Sequence, residues 1–120
     1  MSLYQLEIPD WSPSSVNRLM RRVKERIRRK QADRLIVACH VSQSDIPKAT
    51  GPRRVSVTVT APGRLPDPDN VLKSLLDCLV CSRLLVDDSR EWLELGTIRV
   101  ERGSPRKTVI LFEEVVNAAT

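Results

Sequence analysis

A short apolar segment between two acidic ones, at residues 65–90, places the strongest constraint on the fold. Its apolar side chains recur at the spacing of one helical face, which holds Leu72, Leu75, Leu76 and Leu79, with Val71 and Cys78 beside it. Asp67 and Asp69 precede this run, and Asp87 and Asp88 follow it. The pattern predicts an amphipathic helix that packs on a core and has carboxylates at both of its ends.

Alternation of apolar and polar side chains predicts four strands: Leu3–Ile8, Val55–Thr60, Thr97–Glu101 and Thr108–Val115. The second is the clearest, because three valines alternate with serine and threonine. An earlier start, at Glu91, stays open for the third strand. A second helix is predicted between the first two strands. The order β-α-β-α-β-β predicts a single α+β domain over residues 1–120, in which two helices pack on a mixed sheet.

The helix predicted between the first two strands is strongly basic. Its apolar stripe is Val16, Leu19, Met20, Val23 and Ile27. The sequence leaves open whether this helix bends after residue 30 or continues to Val41. Residues 15–34 contain nine Arg or Lys residues and two acidic ones, which favours phosphate contacts over a merely solvated face. The expected DNA-binding residues are Arg18, Arg21, Arg22, Arg28 and Arg29.

The overall charge favours an anionic partner. The net charge is +5, with a pI near 9.6, yet residues 62–101 hold eight acidic and five basic side chains. A basic arm beside an acidic pocket suits a metal-dependent enzyme that acts on a polyanion. Three cysteines without a signal peptide predict a reducing, cytoplasmic location, and Cys78 and Cys81 are interpreted as buried helix residues and not as zinc ligands. No apolar run reaches the roughly 20 residues of a membrane span.

The acidic residues predict a divalent-metal site for cutting a phosphodiester backbone. Asp67 and Asp69 point the same way if the chain between them is extended, and Mg²⁺ binds through one or two carboxylates together with waters and substrate phosphates. Alternatively, Asp69 or Asn70 caps the following helix, a role that suits Asp67 less well. At most one of Asp87 and Asp88 can face the same point. A bound cation would offset the repulsion among three carboxylates.

Lys73 is the candidate cation of this site. It lies four residues after Asp69, and its ammonium group could contact the scissile phosphate or stabilise charge in the transition state. The alternative is an ordinary ion pair on the helix surface with Asp69 or Asp77. Asp77 is most simply the outer-face partner of Lys73.

At these residues the chain resembles the RusA family of Holliday junction resolvases, endonucleases common in phages and prophages. The family pattern D-x-D-N-x-x-K is matched from Asp67 to Lys73, its D-x-L helix at residues 77–79, and its hydrophobic-D-D segment at residues 85–88. The segment from Trp11 to Leu19 is similar to the family's N-terminal P-S-x-N region. The resemblance therefore covers most of the chain and is most specific over residues 67–89.

The resemblance implies a RusA-like fold in which Asp67, Asp69 and Asp88 are metal-binding catalytic carboxylates and Lys73 is the catalytic lysine. It also implies a homodimer that uses Mg²⁺, or Mn²⁺ in its place, to make paired nicks in four-way DNA junctions during recombination and repair. A twofold dimer suits a twofold junction, since each subunit can cut one strand. The implied chemistry is in-line attack by a metal-activated water on a phosphodiester.

Two departures from the family pattern bear on these expectations. Family members usually have glycine where Arg83 or Leu84 falls, which predicts a differently shaped helix end. The N-terminal region is rebuilt around the arginine-rich helix. This difference bears on the choice of substrate more than on the metal chemistry. Two other functions stay open: a basic DNA-binding module without nuclease activity, and a nuclease of the same fold that acts on other branched nucleic acids.

Overall fold

The chain folds into a mixed sheet covered by helices. A computed structural model describes residues 3–13, 23–65 and 67–115, without the side chains at 23, 25 and 26. Within these residues the strands are β1 (Leu3–Pro9), β2 (Arg53–Ala61), β3 (Leu93–Arg102) and β4 (Lys107–Glu114), and the helices are α1 (Val23–Ser42) and α2 (Pro68–Cys81). The sheet order is β1-β4-β2-β3, with β2 parallel to β3 and the other pairs antiparallel. The predicted α+β order is confirmed.

One face of the sheet is buried because the strand side chains alternate. The valines of β2 are almost fully buried, while the serine and threonines between them are half-buried. Val57 pairs with Ile110, which pairs with Leu6 on its other side, so the three side chains share this face. Val37 of α1 joins the same core, as do five residues of α2: Val71, Leu75, Leu76, Cys78 and Leu79. Neither helix in the described part of the chain is long and apolar enough to cross a membrane.

Helix α1 continues without interruption to Ser42, the longer of the two possibilities. Three members of the predicted apolar stripe lie outside the described residues: Val16, Leu19 and Met20. A fourth, Ile27, is half exposed, so the expected stripe does not reach the core there. The buried side of α1 is set by Asp33 and Val37, and Ile27 lies off that line. Asp33 accepts a hydrogen bond from Trp11 Nε1 at 3.2 Å, which ties α1 to the segment after β1.

Helix α2 ends in a left-handed turn at Arg83. Ser82 caps the helix, and Arg83 has a φ of 64°. Arg83 N donates to Val80 O at 3.0 Å, and Leu84 N donates to Leu79 O at 3.0 Å, which is the hydrogen-bond pattern of a Schellman cap. Arg83 thus adopts the left-handed backbone conformation that glycine favours, although it carries a Cβ.

We expect Arg83→Gly to raise the free energy of unfolding by about 0.5–1 kcal/mol. A left-handed conformation strains a residue with a Cβ, and glycine removes that strain while losing some entropy on folding. The measurement is a urea titration. Arg83→Ala is the matched control, because it removes the exposed side chain but keeps the strain. Equal free energies of unfolding for Arg83→Gly and Arg83→Ala would contradict the conclusion that the gain comes from relief of backbone strain.

A buried arginine joins the start of β2 to the segment that follows α2. The Arg53 side chain is only 1% exposed. Its guanidinium donates hydrogen bonds to Leu84 O at 3.0 Å, Pro47 O at 2.8 Å and Glu114 Oε1 at 2.9 Å. Arg53 therefore fixes, relative to the sheet, the polypeptide that leads from α2 toward Asp88.

Candidate active site

A cavity of about 450 Å³ lies beside α2. The side chains that line it are Lys30, Asn70, Lys73, Ser74, Asp77, Cys78 and Asp88. The members from α2 are three or four residues apart, so they form one helical face. Lys30 comes from α1, and Asp88 comes from the segment before β3. The cavity thus collects polar side chains from three separate parts of the chain.

Two of the four predicted catalytic residues, Lys73 and Asp88, line this cavity together. Of the adjacent acids, Asp88 faces it and Asp87 does not, in agreement with the expectation that at most one can. Among the described residues, no carboxylate oxygen lies within 4 Å of Lys73 Nζ. The alternative of a helix-surface ion pair for Lys73 is therefore wrong.

Asp67, not Asp69 or Asn70, caps α2. The Asp67 backbone is extended, and its Oδ1 accepts a hydrogen bond from Asp69 N at 3.0 Å. Pro68 occupies the first helical position, where a backbone N–H has no partner within the helix. Proline therefore loses no hydrogen bond there, and the helix starts directly after Asp67. Asp69 is exposed in the first turn, and neither Asp67 nor Asp69 lines the cavity.

Asp77 pairs with α1, so the prediction that it serves Lys73 was wrong. Arg34 Nη2 lies 2.8 Å and Arg34 Nε 2.9 Å from Asp77 Oδ2. The guanidinium reaches this carboxylate from the neighbouring helix with a hydrogen bond from Nε and a short charge contact from Nη2. The hydrogen bond and charge of Asp77 raise the pKa of Arg34. The pair joins α1 to α2 at the cavity.

The cysteines differ from the expectation of buried helix residues. Cys78 is buried, but Cys39 and Cys81 are exposed. Burial raises the pKa of the Cys78 thiol to about 12, and the nearby Asp33 and Asp77 carboxylates add to the rise. The Cys78 side chain is therefore a neutral thiol near pH 7. As a neutral thiol it is a weak nucleophile.

The predicted carboxylates suit Mg²⁺ in their chemistry, since Mg²⁺ prefers oxygen ligands. Within residues 3–13, 23–65 and 67–115, no group of three or more His, Cys, Asp or Glu side chains is placed to hold a metal. Asp88 is exposed to the cavity, and Asp67 uses one carboxylate oxygen as the helix cap and retains the other. These residues fit an ion held by one or two carboxylates and completed by water and substrate phosphate, not a closed protein cage.

The predicted DNA-binding arginines divide into two groups. Arg28 and Arg29 are exposed on α1, one turn or less from Lys30. The remaining three lie outside the described residues: Arg18, Arg21 and Arg22. Sequence reasoning counted Lys30 only as part of the basic surface. Lys30 lies four residues before Arg34, so both side chains lie on the same side of α1. Because Arg34 pairs with Asp77 of α2, that side is the one that faces the cavity.

The sequence matches no protein-family model and no curated protein. Among the described residues of the site, the side chains that bear on chemistry are the two lysines, the carboxylate of Asp88 and the acidic start of α2.

Proposed function

We propose that this protein is a Mg²⁺-dependent structure-selective endodeoxyribonuclease that cuts four-way DNA junctions. The observation that carries the proposal is the shared cavity of Lys73, which lies on α2, and Asp88, which lies in the segment before β3. The acidic start of α2, with Asp67 and Asp69, follows the same pattern of the RusA family. The net charge of +5 and the exposed Arg28 and Arg29 supply attraction for a polyanion.

Each residue has a defined task in this reaction. Asp88, with Asp67 and Asp69, would hold the metal, which when bound supplies Lewis-acid stabilisation of the attacking and leaving oxygens. Lys73 places an ammonium group where negative charge grows on the phosphate oxygens. Water adds to phosphorus, the phosphorus–oxygen bond to one sugar breaks, and the departing sugar oxygen takes a proton. Exposed α1 arginines hold neighbouring backbone phosphates without reading the sequence.

The proposal includes a homodimer, because a four-way junction has twofold symmetry and needs two symmetric cuts. It also places the protein in the cytoplasm, in recombination and repair. Light scattering at working concentration tests the assembly: the proposal expects twice the 13.6 kDa chain mass. A monomeric mass in the presence of junction DNA would contradict paired cutting by one dimer.

The decisive experiment is cleavage of a synthetic four-way junction with Mg²⁺, Mn²⁺ or EDTA, beside a linear duplex of the same sequence. We expect symmetric nicks on the junction with either metal and none in EDTA. Three-way junctions, flaps and single-stranded RNA in the same assay identify a different substrate of the same chemistry. Binding without cutting under every metal condition would overturn the proposal.

One observation favours a second function, a DNA-binding module without nuclease activity. The described residues contain no preassembled group of three metal ligands, and Asp67 already serves as a helix cap. Asp67→Asn separates the two functions, because asparagine caps a helix as well as aspartate but is a poor Mg²⁺ ligand. A nuclease cuts the junction before this substitution and loses cleavage with it, whereas a binding module cuts no DNA with or without it.

A further inference from the structure

Two lysines from different helices line the cavity without acidic partners. Lys30 lies on α1 and Lys73 on α2. In the part of the chain that the structure describes, neither ammonium group has a carboxylate oxygen within 4 Å. Two cations that share a cavity repel each other, and a bound anion removes that repulsion.

The other charges around the cavity leave it positive. Arg34 offsets the carboxylate of Asp77 through its two short contacts. Cys78 lines the wall as a neutral thiol, because burial raises its pKa to about 12. Among the described lining residues, Asp88 is then the one remaining negative side chain against two lysines. Asn70 and Ser74 add neutral groups that can donate hydrogen bonds to an anion.

The volume restricts what the anion can be. A cavity of about 450 Å³ falls at the lower end of the roughly 300–1,000 Å³ that small-ligand pockets occupy. This volume accommodates one phosphate group with an attached sugar. The occupant that agrees with both the charge and the volume is a single unit of a nucleic-acid backbone.

We propose that Lys30 is a second phosphate-binding residue of this cavity, which acts with Lys73 on one backbone phosphate of the substrate strand. This inference rests on the proposed function for its substrate class, and it assigns to α1 a direct part in the active site. The Arg34–Asp77 pair positions Lys30, because Arg34 lies one helical turn from it and connects α1 to α2.

The test is binding of a four-way junction in EDTA, measured by fluorescence anisotropy over a range of salt concentrations. Lys30→Met removes the charge and keeps the approximate length of the side chain. We expect the slope of log affinity against log salt to fall by about 1 and the affinity at 0.1 M salt to fall by about 8-fold, since one fewer counterion is released. Lys30→Arg should keep both values near those of the unmodified protein.

The matched control is Lys48→Met, which removes the same charge from an exposed position outside the cavity. Its slope should not change. As a second readout, inorganic phosphate should shift the amide resonances of Asn70 and Ser74 in the unmodified protein and shift them less in Lys30→Met. Equal slopes for Lys30→Met and Lys48→Met, with equal phosphate shifts, would overturn the inference.

The outcomes also separate this inference from the proposed function. Because the binding measurements contain no metal, they do not depend on cleavage. A protein that fails to cut any DNA but loses affinity through Lys30→Met retains the phosphate site and refutes the nuclease. A protein that cuts junctions, and whose Lys30→Met variant binds and cuts normally, retains the nuclease and refutes the role of Lys30.

Discussion

Asp88→Asn should reduce the rate of junction cleavage at saturating Mg²⁺ by at least about 100-fold, the effect on kcat of losing one electrostatic stabilising group. Asp88 faces the cavity that also contains Lys73, and asparagine keeps its shape while removing the negative charge that a divalent ion requires. The measurement is single-turnover cleavage of a labelled junction over a range of Mg²⁺ concentrations.

The neighbouring acid provides the control. Asp87 is also exposed but does not line the cavity, so Asp87→Asn makes the same chemical change one residue away and should leave cleavage within a few-fold. Neither carboxylate makes a hydrogen bond or an ion pair with another described residue, so both variants should unfold within about 0.5 kcal/mol of the unmodified protein. Equal losses of activity in the two variants would remove Asp88 from the site.

Arg53→Met should lower the free energy of unfolding by about 3 kcal/mol, the lower end of the cost of removing one partner of a buried ion pair. The substitution leaves Leu84 O and Pro47 O without their donor and removes the cation from the carboxylate of Glu114, which stays partly exposed. For a chain of this length the transition midpoint should fall by roughly 10 °C. Thermal unfolding followed by circular dichroism measures both quantities.

Arg54→Met is the matched control, because Arg54 is the next residue of β2 and points to the opposite face. It also makes two ion pairs, with Glu94 at 3.1 Å and Glu113 at 3.2 Å. The Arg54 side chain is 44% exposed. Water therefore solvates the carboxylates of Glu94 and Glu113 when the arginine is removed. The midpoint of Arg54→Met should stay close to that of the unmodified protein. A similar fall in the transition midpoint for both variants would show that burial does not increase the contribution of Arg53 to stability.

The sequence was sufficient to predict the elements whose burial is one-sided. β2 and α2 were recognised because a repeat of two or of three to four residues reports directly which side faces the core. The parallel pairing of β2 with β3 did not follow from that pattern, since periodicity reports a buried face and not the neighbouring strand. The apolar stripe of α1 was predicted less well for a similar reason, because the contacts that orient this helix come from residues distant in sequence. Trp11 contacts Asp33, and Asp77 of α2 contacts Arg34.

The site was predicted less completely than the fold. The sequence placed Lys73 and Asp88 in one site, and both line one cavity. The alternative role of helix cap for Asp69 or Asn70 was wrong, because Pro68 takes the first helical position and makes Asp67 the cap. The sequence also gave no sign that Arg53 is buried, since an arginine before a strand normally faces solvent. Its acceptors come from residues as far away as Glu114 and are brought together only by the folded sheet.

The parallel pairing of β2 with β3 also has a consequence for the order of folding. β2, α2 and β3 occupy one continuous stretch, residues 53–102, and all of the proposed metal ligands lie in it, at the start of α2 and in the segment between α2 and β3. β1 pairs with β4 across almost the whole described chain, from Leu3 to Glu113. Closing the shorter loop costs less entropy. We therefore expect these two acidic segments to approach each other in an intermediate stage of folding, before β1 completes the sheet.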